Sequence, residues 1–128
     1  MAWDGHGFDE TFTINVSSTA KQYYIVKHTT TAETITLTTA AGERAIGIIQ
    51  DPTSSGGSVR TRMCGVSKVA HDGTLTPGAQ FQASTAGLAT AASTETGIYR
   101  LGSVIKAAST VSGTIATVLW SPNGQSTN

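Results

Sequence analysis

The stretch that decides the fold is Ser58-Val59-Arg60-Thr61-Arg62-Met63, followed after Cys64 by Gly65-Val66-Ser67-Lys68-Val69. Polar and apolar residues alternate along its first half, which is the period-2 pattern of a half-buried β-strand. The alternation places Arg60 and Arg62 on one face and the apolar side chains on the other. The sequence therefore predicts two successive strands, the first with a row of basic side chains on one face.

Similar runs occur on both sides of this stretch. β-Branched and aromatic residues, which favour strands, are concentrated at 23–27, 34–38, 45–49, 98–104 and 114–120. No window has the 3.6-residue period of an amphipathic helix, and 83–96 is expected to be a loop with one short strand. Turn pairs such as Gly56-Gly57, which suits a hairpin, recur about every 8–12 residues, a spacing typical of a sandwich or small barrel.

We therefore predict an all-β fold, a small single-domain β-barrel or β-sandwich with an extended N-terminal arm. The predicted arm is 1–20, the β domain is 21–120, and 121–128 is a polar C-terminal tail. Because regular alternation is clear only after residue 12, we expect deletion of 2–12 to weaken partner binding more than folding.

The composition excludes several classes of function. The 128 residues include 22 Thr and 13 Ser but only five Leu, and 12% are charged, about half the usual share of about 25%. Nucleic-acid binding is not expected, because the net charge is zero and nucleic-acid binders are usually basic. No run approaches the roughly 18 apolar residues of a membrane span, and residues 1–6 do not resemble a secretion signal. The single cysteine predicts a protein made in a reducing compartment.

The zero net charge hides an asymmetry between the first twenty residues and the rest. Residues 1–20 hold three acidic and no basic residues, so 21–128 carry eight basic minus five acidic, or +3. The same segment contains three aromatic residues, Trp3, Phe8 and Phe12. These rings are either part of the core or anchors into a neighbouring molecule, since large aromatic side chains dominate interface energies.

Few residues suggest catalysis. The three histidines lack metal-site or catalytic spacing, no second cysteine supports zinc binding, and no G-x-S-x-G motif occurs. We expect Cys64 to be a small buried apolar residue and His71-Asp72 to be part of a turn. A metal site formed by Asp4, His6, Asp9 and Glu10 is a lesser alternative to a solvated acidic arm. We thus predict no catalytic residue, no cofactor, no metal and no enzyme activity; a small hydrolase using Cys64 or a Ser/His pair remains an alternative.

Glycine motifs between 24 and 120 follow a familiar order. The motifs are Ala45-Ile46-Gly47-Ile48-Ile49, Gly65-Val66-Ser67-Lys68-Val69-Ala70, Leu75-Thr76-Pro77-Gly78-Ala79-Gln80-Phe81, Ala86-Gly87-Leu88-Ala89 and Leu101-Gly102-Ser103-Val104. In this order the chain resembles the capsid cement, or head-decoration, proteins of tailed bacteriophages, over about three-quarters of its length. The acidic N-terminal segment does not match that family's pattern.

The resemblance implies an all-β structural protein that binds the outside of an assembled phage head and stabilises it. It implies the major capsid protein as partner, a homotrimer, no nucleic acid or membrane partner, and a place on the exterior of a virion assembled in the host cytoplasm. Our candidate capsid-binding residues are Trp3, Phe8, Phe12, Arg60 and Arg62. For the two arginines a solvated strand face is the alternative. For the whole chain the alternative is a surface-displayed carbohydrate- or host-binding β module, suggested by its Ser/Thr-rich strands and its Trp and Tyr residues.

Overall fold

The protein is described by a computed structural model covering residues 8–107 and 114–122. Nine strands follow one another in these ranges, with no α-helix and one short 3-10 turn at Thr85–Gly87. The strands are β1 Phe8–Ile14, β2 Ile25–His28, β3 Thr34–Leu37, β4 Gly47–Asp51, β5 Ser58–Ala70, β6 Gln80–Ala83, β7 Ala89–Ala91, β8 Gly102–Ala107 and β9 Ile115–Trp120. The predicted all-β class and single small domain are confirmed.

The first five strands close into a small barrel. Neighbours around it run in the order β1, β3, β2, β4 and β5, and β5 returns to pair antiparallel with β1. The β1–β3 pairing is parallel and short, joining only Thr13 to Thr34 and Ile14 to Ile35. The predicted hairpin at Gly56-Gly57 connects β4 to β5.

The thirteen-residue strand β5 belongs to both halves of the molecule. Its first part, Ser58 to Cys64, pairs with β1 and β4, while Gly65 to Ala70 pairs with β9. From β9 the second sheet continues through β8, β6 and β7, and a bridge between His71 and Ala89 brings β7 back beside the end of β5. The two strands predicted around Cys64 are therefore one strand shared by two sheets.

Two apolar cores result from this arrangement. The barrel encloses fully buried Ile and Val side chains of β1 to β5: Ile14, Val26, Ile35, Ile49 and Val59. The opposite faces of β2 and β4 present Ile25 and Ile48 to a second core, which contains Phe81, Leu101 and Trp120. Ile25-Val26 of β2 and Ile48-Ile49 of β4 are buried on both faces, so these pairs read as continuous apolar runs. Each fully buried Ile or Val contributes roughly 1.5–3 kcal/mol of transfer free energy.

The sequence prediction placed the first regular strand too late. β1 begins at Phe8 and pairs with β5 over most of its length, so 8–14 form part of the barrel wall. The alternation is hidden because Asp9, Glu10 and Thr11 are consecutive polar residues, and only Phe12 and Ile14 point into the barrel core. Residues 1–7 lie outside the described ranges.

Candidate attachment surface

The candidate surface is built on β1 and its partner β5. Five pairs align them from Asp9↔Arg62 to Thr13↔Ser58, and a bulge between Phe8 and Asp9 lets Phe8 pair with Cys64. Side chains of paired residues share a face of a sheet, so Asp9 lies beside the two arginines of β5. This face carries the candidate residues Arg60 and Arg62 together with Asp9.

Both candidate arginines bind acidic residues of their own chain. Asp9 Oδ2 accepts a hydrogen bond from Arg60 Nη1 at 2.6 Å, and Asp9 Oδ1 accepts one from Arg62 Nε. Arg60 Nε also donates to Asp51 Oδ2 at 2.9 Å, and Arg62 Nη1 donates to the Val66 carbonyl. The arginines thus form an internal network that joins β1, β4 and β5. A solvated strand face does not describe them fully, because both side chains bind groups of their own chain.

The Arg60–Asp51 pair affects the titration of both groups. The hydrogen bond from Arg60 lowers the pKa of Asp51, and the same contact raises the pKa of Arg60. Asp51 is 64% exposed, so water screens this pair and its contribution to stability is small. Asp9 and Arg62 are both 17% exposed, so their pair is the better shielded.

The two described aromatic candidates have different environments. Phe12 packs against the barrel core and its ring meets that of His28 edge to face, with centroids 6.0 Å apart. Phe8 is 54% exposed beside Cys64, which is exposed as well. Phe12 is therefore a core residue, and Phe8 remains available for contact. Trp3 lies outside the described residues.

Cys64 is exposed, so the sequence prediction of a buried residue is wrong. The alternation of β5 puts Cys64 on the face that carries Arg60 and Arg62, and Cys64 is exposed there. His71 is fully buried, its ring nitrogens lying 2.7 Å from the Gly73 carbonyl and 2.9 Å from Thr114 Oγ1. Cys64 is exposed, whereas His71 is buried with its ring nitrogens held by Gly73 and Thr114, so the two do not form a catalytic pair.

Three exposed apolar residues were missed by the sequence analysis. Ile115 and Leu119 lie on the outer face of β9, and Ile105 occupies a bulge in β8. Leu119 pairs with Val66, two residues along β5 from Cys64, the partner of Phe8. The sequence 115–120 predicts a strand, but apolar residues lie on both of its faces. The sequence alone therefore does not show which face of β9 points outward.

Neither a metal site nor a membrane-spanning helix occurs in 8–107 and 114–122. No three His, Cys, Asp or Glu side chains there are grouped to hold a metal ion. None of the helical structure in these ranges is long and apolar enough to cross a membrane. Asp4 and His6 of the alternative metal site lie outside the described residues, and Asp9 is bound by the two arginines.

Comparison with known proteins gives a structural relationship only. No protein-family model matches the chain, and no curated protein matches its sequence. The fold is similar to the crystal structure of the head fiber gp8.5 N base of bacteriophage phi29, with a TM-score of 0.68 and 13% identity. The superposition covers 91% of this chain and 95% of that chain. The protein described here therefore has the fold of a phage head fiber base over almost its whole length.

Proposed function

We propose that the protein is a structural component of a phage virion that binds the outer surface of the assembled head and stabilises it. The observation that carries the proposal is the shared fold, which extends over 91% of this chain and 95% of the phi29 head fiber base. The resemblance of the ordered glycine motifs to head-decoration proteins supports the same role.

The contact with the head would use the exposed apolar side chains that flank the middle of β5. Phe8 pairs with Cys64 of this strand and Leu119 pairs with Val66, and Ile105 lies on β8, the strand next to β9. A partner that covers these exposed apolar side chains removes them from water, and this favours binding. The partner proposed is the major capsid protein, and the protein would bind it as a homotrimer.

The protein would stabilise the head if it binds the assembled lattice of capsid subunits and not the free subunits. A ligand that binds only one state shifts the equilibrium towards that state by mass action. Many equivalent sites on a head make a modest energy per site large in sum. The proposed role is structural and needs no catalytic group or cofactor.

The direct test uses expanded heads assembled without the protein. The purified full-length chain should co-sediment with them and increase their resistance to heat and to low ionic strength. Chains that stay in the supernatant, or bound chains that leave the heads equally fragile, would refute the proposal. Sedimentation equilibrium of the free protein would separate a trimer from the 13.2 kDa monomer.

A further inference from the structure

Tyr23 has an unusual backbone conformation for a bulky residue. Its φ is +68°, in the left-handed region that tyrosine rarely adopts. Two hydrogen bonds hold it there: its N–H donates to the Ile49 carbonyl at 2.8 Å, and its carbonyl accepts from the Ala70 N–H at 2.9 Å. Strained conformations of this kind persist where the surrounding structure fixes them, and they cluster at binding sites.

The strained backbone places the Tyr23 ring between two surface clefts. One cleft, of about 280 Å³, is also lined by Gln50, Arg62, Val66, Ser67, Lys68 and Thr117. The other, of about 380 Å³, lies on the side of Thr19, Gln22 and Tyr24. Each is near the lower end of the range of about 300–1,000 Å³ typical of small-ligand sites. The size of the first cleft suits one ring-sized unit.

A largely buried glutamine with an accessible acceptor oxygen lines the first cleft. Gln50 is 8% exposed, and its Nε2 donates to the Ile48 carbonyl and to Ser67 Oγ, at 3.2 and 3.0 Å. These two bonds fix the amide, while its Oε1 accepts no hydrogen bond from any residue in the described ranges. This Oε1 is not one of the buried unpartnered polar atoms of the described residues, so it is accessible from the cleft and open to a hydrogen-bond donor.

The charge around Tyr23 is positive. Lys68 Nζ lies 6.0 Å from the centre of the Tyr23 ring and makes no ion pair with a described residue. Lys21 Nζ lies 4.9 Å from the centre of the Tyr24 ring on the other side. No residue that lines either cleft is acidic. An anionic group entering the first cleft would therefore meet the unpaired ammonium of Lys68, whereas Arg62, the other cation of the lining, is already paired with Asp9.

From this geometry we propose that Tyr23 and its first cleft form a binding site for an acidic saccharide. The exposed part of the aromatic ring would stack on the apolar face of a sugar ring, because tyrosine combines an apolar body with a polar tip. Gln50 Oε1 would accept a hydrogen bond from a sugar hydroxyl, and Lys68 would pair with a carboxylate or phosphate on the sugar. This site does not depend on attachment to a phage head.

A peptide is a poorer fit than a saccharide. The cleft offers short hydroxyl groups and one amide, dispersed around a ring and a single unpaired cation, and its volume holds one unit rather than several residues. Sugars present hydroxyl groups on all sides of a compact ring, so one cleft of this kind can satisfy several of them. An acidic peptide would use the cation but leave the ring and the amide without matching groups.

The test uses the full-length protein in solution and isothermal titration calorimetry. The probes are oligogalacturonate, a teichoic-acid-like poly(glycerol phosphate) carrying sugar, a neutral galactose oligomer and oligoglutamate. Binding of either acidic saccharide, with little binding of the other two, is the expected result, and the two acidic probes distinguish carboxylate from phosphate. Equal binding of the neutral oligomer or of oligoglutamate, or no binding of any saccharide, would overturn the proposal.

Two variants locate the site on the chain. Lys68→Gln should weaken binding about tenfold, the loss expected for one charge-assisted hydrogen bond. Tyr23→Gly removes the ring where the backbone φ suits glycine, and it should abolish binding with the barrel still folded by circular dichroism. Arg44→Gln, an exposed cation lining a different groove, is the matched control and should bind as the unchanged protein does. Unchanged affinity in the Lys68 variant would refute the site even if Tyr23→Gly fails to fold.

Discussion

Asp9 and Arg60 join the first strand of the barrel to the last, with Oδ2 and Nη1 2.6 Å apart. The same carboxylate also binds Arg62, so one acidic residue of the N-terminal segment holds two cations of β5. The negative charge of residues 1–20 and the positive charge of the rest are therefore partly complementary within one chain. Part of the charge asymmetry is therefore used within the fold, in the ion pairs of Asp9 with Arg60 and Arg62.

We predict that Asp9→Asn lowers the free energy of unfolding by about 1–2 kcal/mol, because it leaves two arginines without their shared partner. Asp51→Asn is the matched control, since Asp51 binds only Arg60 and is 64% exposed; its cost should be below about 0.5 kcal/mol. Urea denaturation followed by tryptophan fluorescence measures both. Equal effects of the two substitutions would contradict the central role of Asp9.

The two described phenylalanines of β1 should respond differently to truncation. Phe12→Ala removes a ring packed on the barrel core and on His28, and we expect it to cost about 2 kcal/mol or more of stability. Phe8→Ala removes a ring that is 54% exposed, and its cost should stay within about 0.5 kcal/mol. The same denaturation experiment compares them. A larger loss from Phe8 would show that it, and not Phe12, is a core residue.

How far the sequence predicted this fold depends on which faces of each strand are buried. β2 and β4 could be predicted because both of their faces are apolar, as Ile25-Val26 and Ile48-Ile49 show. β1 was placed in the arm because its residues 9–11 are all polar, and hydropathy does not register the ion pairs that Asp9 makes with β5. The exposure of Cys64 depends on which face of β5 the other strands cover, and this is set by tertiary packing.

The candidate site was predictable only in part for the same reason. The sequence left open whether Phe8 and Phe12 belong to the core; the structure packs Phe12 on the barrel core and leaves Phe8 exposed, and the role of Phe8 in contact is still a prediction. Tyr23 gave no signal in the sequence, because a positive φ at a tyrosine is imposed by its hydrogen bonds to Ile49 and Ala70. A pattern of residues cannot show such long-range backbone contacts.

Glycine at position 102 should be essential for the pairing of β8 with β9. Its φ is +152°, and a Cβ atom there would lie 1.9 Å from the Leu119 carbonyl oxygen, so the strands would have to separate. We predict that Gly102→Ala costs about 3 kcal/mol or more, as for other severe backbone clashes. Gly56→Ala is the control: Gly56 has φ +86° but no atom within 4 Å of the added Cβ. Its cost should be only about 1 kcal/mol of backbone strain.

The difference in thermal unfolding midpoint between these two variants is the measurement. A Gly102→Ala protein as stable as Gly56→Ala would mean that β8 and β9 tolerate a wider spacing than the structure shows.

Glu43 should make the stability of the protein depend on pH. Burial raises the pKa of this carboxyl, but hydrogen bonds from Lys27 and from the backbone N–H groups of Ala40 and Thr39 outweigh burial and lower it below its ordinary value of 4.5. Since the folded-state pKa is the lower one, the stabilisation is complete above pH 4.5 and is lost as pH falls through the folded-state pKa. Unfolding free energies measured between neutral and acidic pH should show this decline.

Glu43→Gln is the control for that titration. Glutamine keeps the shape of the side chain but cannot ionise, so the variant should be less stable at neutral pH and should lose less stability on acidification. A variant whose pH profile parallels that of the unchanged protein would assign the decline to other carboxyl groups, such as Asp51, whose pKa is also lowered.

The attachment surface should be separable from folding by charge substitution. Leu119 is 39% exposed on the outer face of β9, so Leu119→Asp should leave the unfolding midpoint almost unchanged. The same substitution places a carboxylate in an interface that covers this face, where an unpaired charge is costly to bury, so binding to expanded heads should fall at least about tenfold. Thr94→Asp, in an exposed loop remote from β9 in sequence, is the matched control for added charge. Co-sedimentation across a range of protein concentrations measures the affinities, and equal binding of both variants would move the contact to another face of the molecule.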